Sequence, residues 1–128
     1  MSAMSDYLEL EVLDHVLGTG AYTMPSNVYI GLSTGSFNDD NSGTELSGSN
    51  YSRQTIAFAA ASSGSATTNA TVTFPTASGS WGAVSHWGLF DASSSGNLLI
   101  HGAFASSKTI ASGDVLRVNS GDLTVTAA

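Results

Sequence analysis

Between Phe74 and Ala92 the chain reads FPTASGSWGAVSHWGLFDA, which holds both tryptophans, one of the three histidines and the only Phe-Pro step. Pro75 and the Gly/Ser cluster behind it break the backbone, and Val84 to Phe90 then runs apolar on both faces. Successive residues of a strand point to opposite sides, so this is the pattern of a strand buried on two sides. Such a strand anchors a core. Simple alternation places Ser85, Trp87 and Leu89 on one face and Val84, His86 and Phe90 on the other.

The segments around it read as further short strands. Val28 to Ser33, Ser52 to Phe58, Thr71 to Phe74, Leu98 to Phe104, Val115 to Val118 and Leu123 to Thr126 are β-branched or aromatic runs separated by Gly, Ser, Asn and Asp. With Val84 to Phe90 they predict an all-β fold, a compact β-sandwich or jelly-roll-like barrel of roughly seven strands. Ser112-Gly113-Asp114 and Ser120-Gly121-Asp122 each precede a strand, which predicts two similar turns.

One helix is predicted, over residues 6–17. Asp6 and Glu9 give a capping-box-like start and Gly18 with Gly20 a stop. Tyr7, Leu10, Leu13 and Leu17, widened by Val12 and Val16, form a stripe at helical spacing that should dock on the body, where it could cover a sheet end or touch a neighbouring subunit. A helix this short depends on packing for its stability. Met4 offers an alternative start, because no structural pattern is visible before Ser5.

A chain of 128 residues predicts a single domain, residues 1–128, with the sandwich over residues 27–126. At that size roughly two thirds of the unfolded surface can be buried. The absence of cysteine excludes disulfides and thiolate sites, and the low charged fraction of 10% leaves a surface of hydroxyls and backbone. Ten acidic residues against three basic ones give a net charge of -7. Phosphate backbones and anionic membranes bind Lys and Arg clusters, so nucleic acid and membrane are not expected partners. The longest small apolar run, Ile56 to Ala61, is far short of a membrane span, and no targeting signal is visible.

The segment from Thr34 to Asn50 is a long loop without apolar periodicity, and loops of this length in compact domains are functional or disordered. Phe37 looks exposed there, and Phe37, Asn38, Asp39, Asp40, Tyr51 and Trp81 together form the candidate interaction loop, one that a partner contact could order. Arg53, one of three cations in an acidic chain, is expected to pair with Glu45 or to bond loop carbonyls, which would pin that loop.

Chemistry-bearing motifs are weak. Gly31 to Gly35 matches G-x-S-x-G, but a Ser/Asn/Asp loop follows where a nucleophile elbow needs a helix. Asp39, Asn41 and Glu45 could offer oxygens to Ca²⁺, yet their spacing fails the EF-hand pattern. His86 and His101 fall in neighbouring strands without a third ligand or a positioned carboxylate, and His15 lies near the helix C-terminus. The triplets at Asn50 and Asn69 read as turns. No catalytic residues, metal site or cofactor are expected, and the chain is not expected to be an enzyme.

The order Tyr29-Ile30-x-Leu32, Gly43-Thr44-Glu45-Leu46-Ser47-Gly48-x-x-Tyr51-x-Arg53, Phe74-Pro75-Thr76-Ala77 and Trp81-Gly82-x-Val84-x-His86-Trp87-Gly88-Leu89-Phe90-Asp91 resembles a family of small tailed-phage virion structural proteins. Asn97-Leu98-Leu99-x-His101-Gly102, Lys108-Thr109-Ile110 and Gly121-Asp122-Leu123 continue the resemblance. It implies a virion component, described as tail-fibre-like or head-associated, and brings no catalytic residues. The chain lacks the heptads and shaft repeats of an elongated fibre, which favours a capsid decoration or cement protein across capsomere junctions. Its expected partners are the major capsid protein or other virion proteins, and it is expected to form a homo-oligomer, a trimer or dimer. The alternative is a tail fibre, tail tip or baseplate protein, in which Phe37, Tyr51 and Trp81 could stack against sugars as a receptor- or glycan-binding module.

Overall fold

The computed structural model describes residues 2–127. The chain is mostly β with one N-terminal helix. Strand β1 (Ser2–Met4) leads into helix α1 (Asp6–Leu17), followed by β2 (Val28–Ser33), β3 (Gln54–Ile56), β4 (Ser65–Thr67), β5 (Val72–Thr73) and β6 (Gly82–Phe90). Strands β7 (Leu98–Ile110), β8 (Arg117–Val118) and β9 (Thr124–Thr126) complete it. A five-stranded sheet has the order β1-β7-β6-β2-β3, and two ribbons pair β4 with β9 and β5 with β8, all antiparallel.

The two-sided strand Val84 to Phe90 lies in β6, at the middle of the sheet, between β2 and β7. Ile30, Leu32, Trp87 and Leu89 of the sheet share one core with Val72, Phe74, Leu116, Val118 and Leu123 from the ribbons and their flanks. Phe90 joins Phe37 and Leu98 in a separate, smaller core. Val84 departs from simple alternation: it joins the core of Trp87 and Leu89, not that of Phe90. The cause is a break in register, since Val84 pairs with Lys108 while His86 pairs with Ala103. Residues 104–107 therefore bow out of the ladder opposite Ser85, and the side-chain order resets.

The two Ser-Gly-Asp turns are near copies. Gly113 and Gly121 take φ of 90° and 87°. In each, the Asp carboxylate accepts a backbone N–H three residues earlier, from Ala111 and Asn119 at 2.9 and 3.1 Å. The glycine N–H donates across the core, to the carbonyls of Ala77 and Thr68.

Two expectations about the N-terminus need correction. Ser2 to Met4 is a strand paired with Ile100 to Gly102, so pattern does exist before Ser5. Three residues are too few for periodicity to reveal, and the pairing is set by a strand about a hundred residues away. The helix stripe docks only in part: Tyr7 and Val12 are half-buried, while Leu10, Leu13, Val16 and Leu17 are 64%, 54%, 71% and 70% exposed, and Leu8, outside the stripe, is the one buried helix residue. Anchoring comes from its N-cap instead. Buried Ser5 accepts the Leu8 N–H at 3.1 Å, donates its own N–H to the Leu99 carbonyl at 2.8 Å and its hydroxyl to the Leu98 carbonyl. Gly18 closes the helix in the left-handed conformation.

Replacing Ser5 by Ala removes the cap and a buried tie to β7 together. The expected cost is about 1–2 kcal/mol, read as a lower midpoint in urea unfolding with an unchanged slope.

Candidate functional site

The long loop between β2 and β3 is built from turn chemistry. Asn38, Asn41, Ser49 and Asn50 take φ of 60°, 59°, 50° and 69°, a region that Asn tolerates better than most side chains. Gly43 donates to the Phe37 carbonyl at 2.9 Å, and a Cβ on it would lie 2.2 Å from the Ser36 oxygen. The Asn and Ser content thus serves backbone geometry. Asp39 bonds His101 Nε2 at 2.7 Å, and its carbonyl accepts the Asp6 N–H at 2.9 Å, tying the loop to β7 and α1. Further along, Leu46 donates to the Leu32 carbonyl and Thr44 accepts the Ser33 hydroxyl. Bonds within the chain hold this loop.

Arg53 is the point where the loops converge. Its Nε and Nη2 fork onto the Glu45 carboxylate at 2.9 and 2.8 Å, while Nη1 donates to the carbonyls of Ala92 and Ser95 at 2.9 and 2.8 Å. The guanidinium carbon lies 3.6 Å from the centre of the Phe90 ring. The side chain is only 8% exposed, so the charge is desolvated and depends on these partners. Tyr51 completes the set: its hydroxyl donates to Glu45 and accepts the Leu32 N–H at 2.9 Å, a strand-edge donor beyond the reach of β3.

Two glycines make room for this cluster. Gly31 and Gly88 pair across β2 and β6. A Cβ on Gly31 would lie 2.7 Å from Glu45 Oε2 and 3.0 Å from Phe90; one on Gly88 would lie 3.0 Å from Leu98 and 3.1 Å from Phe37. Sequence reasoning missed both, although each stands alone inside an apolar strand, a known mark of close approach.

The candidate interaction residues separate. Phe37 is 1% exposed, edge-on to Phe90 at 5.6 Å, so it is not the exposed aromatic its polar surroundings suggested. Trp81 is 6% exposed, stands edge-on to Tyr51 at 5.5 Å and donates its indole N–H to the Ser49 carbonyl. Tyr51 also stacks on Phe74. Phe37 thus packs in one core and Trp81 with Tyr51 in the other, so the three do not share one exposed face. Asn38 and Asp40 do lie at the surface, each hydrogen-bonded to Ser42, and that bonding holds the Asp40 carboxyl below its ordinary range.

The weaker motifs resolve in the same way. Ser33 of the G-x-S-x-G string is buried and accepts the Gly35 N–H. Glu45 and Asp39 are committed to Arg53 and His101, so the three oxygen donors do not converge on one point. His86 and His101 have separate partners, Ser85 and Asp39, and His15 accepts the Tyr22 N–H. The Ser85 hydroxyl lies 2.7 Å from His86 Nδ1, but among the described residues no carboxylate bonds that ring. No group of three metal-ligating side chains occurs among the described residues.

Replacing Arg53 by Met strands the Glu45 carboxylate and frees two loop carbonyls. The expected loss is about 3 kcal/mol, and adding Glu45→Leu should recover part of it; urea unfolding of the three chains reads both. Burial, and then the bond to Glu45, hold the Tyr51 hydroxyl well above the ordinary tyrosine range. A raised value keeps the folded form protonated while the unfolded tyrosine ionises, so this stabilisation is intact below about pH 10 and falls by about 1.4 kcal/mol per pH unit above it. Tyr51→Phe should be less stable at neutral pH and show a shallower alkaline decline, the difference isolating Tyr51 from the other tyrosines.

Among curated proteins no sequence matches the chain. Residues 3–126, from β1 to the end of β9, match the sequence family described as Podophage GP4 fiber I protein gp80. The match takes in the Gly31 and Gly88 floor, the Glu45–Arg53 clamp and both Ser-Gly-Asp turns. The chain belongs to the podophage GP4 fiber I protein gp80 family, and is a phage virion structural protein.

Proposed function

We propose that this chain is a non-catalytic structural component of a phage tail fibre, assembled as a dimer or trimer and held in place by other virion proteins. The family match over residues 3–126 carries the reading. It favours the tail over the capsid decoration expected from the lack of shaft repeats. A fibre also needs compact pieces at its joints and ends, so the missing heptads do not weigh against it.

The geometry agrees with a part made to be rigid. The polar groups with unusual surroundings, Arg53, Glu45 and Tyr51, are spent on one another and on backbone. Such a cluster fixes loops, which supports a structural role. A sugar-stacking role for Phe37 and Trp81 has no support in their burial. Of the three cations, one is sequestered by Glu45, which leaves little to attract phosphate backbones. No helix among the described residues is long and apolar enough to cross a membrane.

Labelling virions with an antibody to the chain, together with its copy number per particle, tests the location. Signal confined to the tail, at tens of copies or fewer, is the expected result. Hundreds of copies over the shell would overturn the fibre reading in favour of capsid decoration.

A further inference from the structure

The unpartnered face of α1 has a defined chemistry. Leu10, Leu13 and Leu17 recur at i, i+3 and i+7 and point outward, at 64%, 54% and 70% exposed. At helical spacing Glu9 borders this row on one side and Asp14 on the other, both at the surface. The helix carries four carboxylates, Asp6, Glu9, Glu11 and Asp14, and no Lys or Arg. What it lacks is an apolar seat with a cationic rim.

The same chain contains one. Only three Lys and Arg residues exist, and Arg53 is consumed by Glu45. The other two, Lys108 and Arg117, border a single cleft of about 210 Å³ whose apolar lining includes Phe104, Leu116 and Leu123. Neither cation forms a salt bridge among the described residues. Asp122 also lines the cleft and keeps its charge while accepting the Asn119 N–H, so two cations against one carboxylate leave the rim net positive. The cleft lies where residues 104–107 leave the β6–β7 ladder, so the register break that resets the core also opens this seat.

We infer that the leucine face of α1 from one copy docks into the Lys108–Arg117 cleft of a second copy. The helix is anchored by Ser5 to Leu98 and Leu99 at the start of β7, and the cleft flanks the strand's later half, so the two patches occupy different parts of one chain. A contact between unlike patches repeats head to tail, and closes into a ring when the rotation permits. The alternative, helix against helix about a two-fold axis, would bring eight carboxylates together with no Lys or Arg between them. The inference rests on the self-association proposed above and names the surfaces that produce it.

Sedimentation velocity of the full chain over a range of concentration and salt tests it. Wild type should self-associate, more weakly as salt rises. Glu9→Lys with Asp14→Lys, and separately Lys108→Glu with Arg117→Glu, should each weaken association by about tenfold or more, since each sets like charges face to face. All four changes in one chain should restore it. Leu13→Ser should weaken association at every salt concentration. These positions are exposed, and circular dichroism with thermal melting confirms that each variant folds. A folded four-substitution chain that fails to reassociate overturns the interface. An oligomer indifferent to both charge pairs and to Leu13→Ser also overturns it, while leaving self-association standing. A wild-type chain that stays monomeric at every concentration removes both.

Discussion

A guanidinium taken out of water must find a full set of partners, and two loops and the Phe90 ring supply them to Arg53. Its fork needs a carboxylate in the same plane, which fixes Glu45. Glu45 can lie over β2 because position 31 has no side chain. The remaining donors draw in the turn from Asp91 to Asn97, and Phe90 supplies a ring beneath the charge. By this means segments far apart in sequence are set against one strand pair. An ion pair with a buried member is seldom a cheap source of stability. An apolar replacement would fill the space without dictating where two loops must run.

Much of this was readable in the residues, and the limits of reading have physical causes. The β6 strand announced itself because burial on both faces leaves an unbroken apolar run, and the scarcity of cations made Arg53 conspicuous. The Ser-Gly-Asp repeat showed its turns because the demands of a left-handed glycine and an accepting carboxylate are local. What local pattern could not carry was partnership. Phe37 looked exposed because its neighbours are polar, yet those neighbours form turns that press it onto Phe90. The β1 strand, and the strand β4 that the reading missed, are three residues each and take their form from partners distant in sequence. Val84 changed cores through a register break that alternation cannot anticipate.

Helix α1 shows the same limit in reverse. Its apolar spacing was read correctly as a stripe, and docking on the body was the natural inference, since burial is the usual fate of such a face. Its orientation, however, is set by Ser5 and Leu8, which leave the row of leucines turned away from the sheet. Periodicity reports that a face will be buried against something. It does not say whether that something is the same molecule. In a protein that works as part of an assembly the distinction is a functional one.

The pairing of β1 with β7 and β9 sets an order in time. Ser2 exchanges hydrogen bonds with Thr126, and β1 lies along Ile100 to Gly102. Closing loops of that span is slow relative to forming the nearby hairpins, and on a ribosome β7 and β9 do not yet exist when β1 emerges. The β2–β6–β7 centre, with its clamp, can assemble once the chain has passed Ile110. Strand β1 must wait until β7 is in place. Strand β1 is made before its partner and is among the last elements to find its place.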